Sequence, residues 1–226
     1  MREHRDWGRI VTSNAVPADD RSPIFFMSYA HRPNNAGDHQ VKHFYDLVYS
    51  HVDELLGLPP GQEAGFIDAE MTGGQRWSDD LAYAIGHCQV LVPLISPRYV
   101  QSEWCAREWN AFLRRARRTV PGGSPSSGDL PVIPVWWTPY PLSRFPAALR
   151  DVQFFTAEGL PRPEMARMYH HQGLYGLLQL GQPGLEVYEA VAWFLAKRIT
   201  DSYWTHDVEV GDVDFTGLST RFGEGI

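Results

Sequence analysis

The chain has 226 residues, of which 43% are hydrophobic and 21% charged, and this ordinary balance predicts one folded domain with or without a tail. A formal net charge of −7 excludes a broad basic surface for nucleic acid and argues against docking on an anionic membrane. The polar N-terminus MREHRDWGRI does not resemble a signal peptide, and no apolar run reaches the roughly 20 residues that span a bilayer. We therefore expect a cytoplasmic protein without a nucleic-acid or membrane partner.

In chain order, a polar lead-in over residues 1–22 precedes a short buried strand at Ile24–Tyr29. Apolar residues then recur at spacings of three and four over Val41–Leu56, which predicts an amphipathic helix that Gly57 ends. The later predicted strands are Ala64–Asp68, Gln89–Ile95, Val132–Trp137 and Val152–Phe155. The later predicted helices are residues 79–88, 102–118 and 185–199. Ser78 and Ser102 are the predicted N-caps of the first two of these helices.

Strands that alternate with helices imply crossover connections, so the predicted fold class is α/β, with a mostly parallel sheet of five strands between two layers of helices. In such sheets, ligands bind beyond the carboxyl ends of the strands. The segments Ser28–Pro33, Asp68–Trp77 and Ser96–Glu108 would meet at that edge. Residues 201–226 are acidic, rich in glycine and poor in apolar residues, and their composition predicts a flexible tail.

The predicted helix over residues 102–118 carries a glutamate in an unusual position. Glu108 follows Trp104 by one turn and Cys105 by three residues, so helical geometry sets its carboxylate beside the apolar stripe instead of on the Arg-rich face. Burial of an unpaired carboxylate is strongly unfavourable, so such a group is usually paired or functional. Two roles therefore fit Glu108: a structural bond to an Arg or to backbone amides, or catalysis.

The segment Asp68–Trp77, with the sequence DAEMTGGQRW, joins a predicted strand to a predicted helix. Gly73 and Gly74 allow positive φ angles and a mobile backbone. The segment fits an ordinary loop, and it also fits a flap in which Trp77 stacks on an aromatic ring and Arg76 lies near phosphate. It matches neither a Walker loop nor the glycine fingerprint of dinucleotide-binding folds.

Ser28, Tyr29 and His31 lie at the end of the first predicted strand. A Ser–His nucleophile pair is one hypothesis, but the chain has no G-x-S-x-G elbow, and hydrogen-bonding or loop-shaping roles are favoured. Cys88 and Cys105 lie in apolar segments and are predicted to be buried free thiols. No His or Cys spacing is that of a metal site, so the sequence predicts no metal ligands.

At three places the chain resembles the Toll/interleukin receptor (TIR) domain family. Phe25–Tyr29 is similar to the family's first-strand F-x-S-Y box, and Phe66–Asp68 with the glycine-containing loop is similar to its second strand and BB loop. The stretch Leu91–Glu108 is similar to the pattern S-x-x-Y-x-x-S-x-W-C-x-x-E of catalytic members. The resemblance covers roughly residues 22–155 and implies a flavodoxin-like TIR domain over residues 23–200. GLPPG, SPRYVQSEWCAREW and GLYGLLQL also resemble bacterial TIR-like proteins of the FxsC type.

The resemblance implies an enzyme that cleaves the nicotinamide–ribose bond of NAD, which is a substrate and not a cofactor. It implies that Glu108 is the essential glutamate, Trp104 the active-site tryptophan and Trp77 the aromatic residue of the BB loop. The other candidate substrate-binding residues are Ser28, Tyr29, His31, Asp68 and Arg76. A carboxylate can stabilise the ribosyl cation, and no metal is needed because nicotinamide leaves as a neutral molecule. Catalytic members usually act as assemblies, so self-association or an activating partner protein is expected.

Three functions fit the sequence. The first is a NAD hydrolase or cyclase in bacterial defence or signalling, which would lose nicotinamide release in Glu108→Gln. The second is a non-catalytic TIR adaptor, which would keep its assembly and its biological effect in the same variant. The third is a nucleotide-binding or nucleoside-processing domain with a similar sheet, which would bind its ligand without self-association.

Overall fold

The computed structural model describes residues 22–32, 38–68, 79–118, 130–157 and 159–224. The predicted N-cap Ser78, the loop that carries Arg76 and Trp77, and nearly all of the predicted lead-in lie outside these ranges. The strands are β1 (Phe25–Ser28), β2 (Gly65–Ile67), β3 (Val90–Ile95) and β4 (Val135–Trp136). The helices are α1 (Asp38–Leu56), α2 (Asp79–His87), α3 (Pro97–Gln101), α4 (Glu103–Arg118), α5 (Ala147–Arg150), α6 (Pro163–Leu177) and α7 (Gln182–Thr205).

The strands form one parallel sheet in the order β2-β1-β3-β4. Met27 of β1 lies in register with Ile67 of β2 and with Val92 of β3. This arrangement confirms the predicted α/β class with a parallel sheet between helices. Because the chain passes from β1 to β2 on one side and returns to β3 on the other, the boundary between β1 and β3 is the switch point where open α/β sheets bind ligands.

The sheet differs from the prediction in its strand number, since the described residues form four strands and not five. The predicted fifth strand, Val152–Phe155, makes a single backbone hydrogen bond to this edge, from Phe155 N to Pro134 O at 2.9 Å. Pro131 and Pro134 interrupt the neighbouring segment and have no backbone N–H to donate, so β4 is short and gives a further strand little to pair with.

The core has two parts, one on each face of the sheet. One part packs side chains of α1, α6 and α7, such as Phe44 and Leu195, against the sheet. The other packs side chains of α2 and α4, such as Ile85 and Phe112, against the opposite face. Cys88 and Cys105 lie in this second part as buried free thiols, as predicted.

Two serine caps direct the chain from β3 into the helix that carries Glu108. The Ser96 hydroxyl accepts the Tyr99 amide at 3.1 Å and begins α3, which the sequence did not predict as a separate helix. The Ser102 hydroxyl accepts the Cys105 amide at 3.2 Å and caps α4, as predicted. Capping satisfies amides that the first helical turn leaves without partners. Together the caps fix the position at which α4 begins beside the edge of the sheet.

The C-terminal part of the chain is more ordered than its composition predicts. α7 continues to Thr205, beyond the predicted end at residue 199. Residues 206–224, which we call the C-terminal strap, then run along α2 and α4 and bury Val208, Leu218 and Phe222 in the second part of the core. The acidic, glycine-rich sequence predicts a flexible tail, whereas in the structure widely spaced apolar residues and buried hydrogen bonds pack the strap against the core.

Helix α6 supports the sheet edge at β4. Gly173 has a φ of 63° inside this helix, and a Cβ there would lie 2.8 Å from Trp137 O. Only glycine tolerates both the positive φ and the close approach. The kink lets Tyr175 N donate to Trp137 O at 2.9 Å. Within the described parts of the chain, none of the helices is both long and apolar enough to cross a bilayer.

Candidate functional site

The carboxyl ends of β1 and β2 and the start of α4 border a cavity of about 330 Å³. Parallel pairing creates it, because β1 ends at Ser28, Asp68 follows β2, and β3 leads through α3 into α4. Of the residues predicted for the site, those that line the cavity are Ser28, Tyr29, His31, Asp68, Trp104 and Glu108. The other two, Arg76 and Trp77, lie outside the described residues.

Glu108 is the buried acid of this cavity, with 5% of its surface exposed. The Ser28 hydroxyl donates a hydrogen bond to Oε2 of Glu108. The Tyr99 hydroxyl lies 3.2 Å from the same Ser28 oxygen. Among the described residues, no Lys, Arg or His forms an ion pair with Glu108. A hydroxyl therefore takes the place of the Arg or backbone partner considered from the sequence, and no countercharge from the described part of the chain accompanies the buried acid.

The surroundings of Glu108 favour its protonated form. Burial raises the pKa of Glu108 to about 8, since a low-dielectric environment disfavours the charged carboxylate. The hydrogen bond from Ser28 acts in the opposite direction, and the negative charge of Asp68 raises this pKa further. Such a group changes charge near neutral pH, where functional acids and bases are most effective.

Replacing Ser28 by Ala is expected to raise the pKa of Glu108 above its value of about 8, because the Ser28 hydrogen bond favours the ionised carboxylate. Carbon-13 NMR of the Glu108 side-chain carboxyl, followed through a pH titration, measures this change. Ser202→Ala is the control, because Ser202 is also buried but belongs to α7. A pKa that stays unchanged or falls in Ser28→Ala would contradict the account.

Tyr29 and His31 form a second polar group at the cavity wall. The Nδ1 atom of His31 lies 3.1 Å from the Asp38 carboxylate and 3.2 Å from the Tyr29 hydroxyl. Ser28 bonds instead with Glu108 and Tyr99, which supports the hydrogen-bonding role favoured from the sequence over a Ser–His nucleophile pair. His31 and Tyr29 hold each other and the start of α1. Within the described ranges, no three His, Cys, Asp or Glu side chains cluster as metal ligands would.

Trp104 provides an aromatic wall close to the carboxylate. It lies one turn before Glu108 on α4 and lines the same cavity. The Arg107 guanidinium lies over the Trp104 ring, 5.0 Å from its centroid. A cation over an indole is attracted to the ring and restricts its motion. The cavity thus combines a buried carboxylate with a supported aromatic surface.

The comparison with protein families agrees with this geometry. Residues 25–162, more than half of the chain, match the family model described as TIR domain. The chain belongs to the TIR domain family. The matched range of this TIR domain includes every residue that lines the cavity, whereas α6, α7 and the C-terminal strap lie beyond it. No curated protein matches the chain, and the finer similarity to FxsC-type proteins stays a prediction.

A second cavity of about 200 Å³ adjoins the first at the β1/β3 switch point of the TIR domain. The two cavities share Tyr29, Ala30 and Arg98 as lining residues. Arg98 is exposed and, within the described chain, forms no ion pair. Arg98 could not be identified from the sequence, because one exposed residue on a five-residue helix gives no periodic signal. The contact of Tyr99 with Ser28 was not predicted either, although Tyr99 belongs to the pattern that ends at Glu108.

Proposed function

We propose that this TIR domain cleaves the nicotinamide–ribose bond of NAD and that Glu108 is its catalytic residue. The observation that carries the proposal is the Glu108 carboxyl, which is buried without a cation partner among the described residues yet lines a cavity beside Trp104. TIR domains include NAD-cleaving enzymes, and they associate with one another or with other TIR proteins. The resemblance to catalytic members supports the same role for Glu108.

The reaction fits a buried carboxylate at the wall of a cavity. The bond between C1′ of the ribose and the nicotinamide nitrogen breaks, its electron pair goes to the nitrogen, and neutral nicotinamide leaves. Positive charge develops on the ribose as an oxocarbenium-like cation, and the ionised Glu108 stabilises it strongly because little water screens the pair. Water then adds its oxygen to C1′ and releases a proton, which gives ADP-ribose. Attack by an adenine nitrogen in place of water would give the cyclic product.

The free protein holds Glu108 largely protonated at neutral pH, whereas this chemistry needs its anion. Bound NAD carries a cationic nicotinamide ring, and a nearby cation favours the ionised form of an acid. Substrate binding therefore shifts Glu108 toward its ionised form. In this proposal, Ser28 orients the carboxylate, Asp68 accepts a ribose hydroxyl, and Trp104 contacts the nicotinamide.

The two adjoining cavities suit an elongated substrate. NAD consists of two nucleosides joined by a diphosphate, and Arg98 lies where the cavities meet. An Arg without an ion-pair partner is suited to bind phosphate. We place the diphosphate near Arg98 and the adenosine half toward the second cavity, with Tyr29 and His31 between the two halves. Arg76 and Trp77 stay predicted contributors from the BB loop.

The test is nicotinamide release from NAD, followed by chromatography. The full chain is assayed in dilute solution and clustered on beads, because activity in this proposal requires neighbouring copies. The clustered protein is expected to release one nicotinamide for each ADP-ribose that it forms, whether the ADP-ribose is linear or cyclic. Self-association without release above the level of Glu108→Gln would reject the enzyme and favour the TIR adaptor function.

A further inference from the structure

Near its beginning, the C-terminal strap is held by side chains of α4 and of the segment before β3. The Gln89 side chain accepts the Val208 amide at 2.7 Å and donates to the Val208 carbonyl at 3.1 Å. Arg115 donates from Nε to Glu209 O at 2.9 Å. Gly211 N donates to Gly86 O at 3.0 Å. These bonds fix where the strap begins to run along α4.

Near its end, the strap is held by one buried amide of α4. Asn110 is fully buried, and its Nδ2 donates to Ser219 O at 3.0 Å and to Arg221 O at 2.8 Å. Its Oδ1 accepts the amide of Gly223 at 3.1 Å. Both donors of the side chain and its acceptor are therefore used by the strap. A buried amide with several partners fixes the relative position of the two segments.

Phe222 connects the strap to the candidate site. Its ring lies 5.6 Å from the ring of Tyr99 and 6.0 Å from the ring of Trp109, measured between centroids. Tyr99 is fully buried and contacts Ser28 through its hydroxyl, and Ser28 donates to Glu108. Trp109 is the neighbour of Glu108 on α4. The strap thus reaches the carboxylate through Tyr99 and through the helix backbone.

We propose that Phe222 and Asn110 are positioning residues, through which the C-terminal strap holds Tyr99 and α4 so that Ser28 engages Glu108. The catalytic consequence rests on the proposed function, but the effect on Glu108 itself does not. The strap lies beyond the residues that match the TIR family model. The proposed support for the site therefore comes from a segment outside the matched range.

The experiment compares Phe222→Ala and Asn110→Ala with the wild-type full chain. Carbon-13 NMR of the Glu108 carboxyl measures its pKa, which burial, more than any other cause, raises. Both variants are expected to lower this pKa toward the ordinary carboxyl value, because loosened packing around Tyr99 admits water. Loss of the Ser28 hydrogen bond acts in the opposite direction, but burial is the larger cause of the shift. In clustered protein, kcat for NAD is expected to fall about tenfold with little change in KM. The reason is that the variants displace the Glu108 carboxylate but leave the surface that binds NAD intact.

Val191→Ala is the matched control, because it removes buried apolar volume from the other part of the core. It is expected to lower stability without changing the pKa of Glu108 or kcat. Phe222→Leu keeps an apolar side chain and is expected to shift the pKa less, in the same direction. It is the variant to measure if circular dichroism shows that Phe222→Ala does not fold.

Different results would overturn the positioning role of the strap and the proposed NAD cleavage. Folded strap variants with the wild-type pKa of Glu108 would overturn the positioning role, even in an active enzyme. A wild-type chain that releases no nicotinamide, while the strap variants lower the pKa of Glu108, would overturn the proposed function and leave the structural role of the strap. An equal pKa change in Val191→Ala would also overturn the positioning role, since it would show a general effect of destabilisation.

Discussion

Replacing Glu108 by Gln is expected to reduce nicotinamide release by roughly 10²–10³-fold, the usual effect of removing one preorganised group that stabilises transition-state charge. Gln has the same shape and can still bond with Ser28, but it carries no negative charge for the ribosyl cation. Affinity for intact NAD is expected to change much less, because the charge matters most as the bond breaks. Initial rates and NAD titration calorimetry on the clustered and free protein measure both effects.

Glu103→Gln is the control for that experiment. Glu103 lies on the same helix but is exposed, so its loss is expected to leave the rate within about twofold of wild type, as for surface changes away from a site. Equal release by wild type and Glu108→Gln would contradict the catalytic role. Equal loss of release in Glu103→Gln would instead point to a change in α4 as a whole.

The stability of the wild-type protein is expected to fall as pH rises from about 4.5 to about 8, relative to Glu108→Gln. Burial raises the pKa of Glu108 from 4.5 to about 8, so the folded chain keeps a proton that the unfolded chain releases over this range. The unfolded state then binds fewer protons, and the free energy of unfolding decreases by up to about 1.4 kcal/mol per pH unit. Below this window both states are protonated and the group has no effect. Above it the loss is complete.

Urea unfolding at several pH values tests this expectation. The difference in free energy of unfolding between Glu108→Gln and wild type should grow through the window and then level off. Taking the difference removes the contributions of groups that both proteins share. Parallel curves for the two proteins would show that Glu108 is not held protonated in the folded state.

Local sequence patterns predicted much of the fold because the elements near the site have strong signals. The apolar stripe of α1, the continuous apolar run of β3 and the Ser102 cap each depend on residues close together in the chain. The clustering of Ser28, Asp68 and Glu108 followed from one rule, that parallel strands bring their carboxyl ends to one edge. The family pattern then indicated which of these residues could carry chemistry.

Features that depend on distant partners could not be predicted in this way. The Ser28–Glu108 bond joins residues 80 positions apart, so periodicity placed Glu108 beside the core but could not identify its partner. The strap has few apolar residues and no period, and the Asn110 amide bonds that hold it come from another part of the chain. The predicted fifth strand failed for a different reason, because Pro131 and Pro134 limit pairing at the β4 edge.

If Glu108 stabilises the ribosyl cation, a bound nicotinamide cation must lie close to its carboxyl group. A NAD analogue with a methylene in place of the ring oxygen of the nicotinamide ribose keeps the cation and resists cleavage. Saturating analogue is expected to lower the pKa of Glu108 measured by carbon-13 NMR, because the cation favours the carboxylate. A Glu108 resonance and pKa that do not change under saturating analogue would contradict the account.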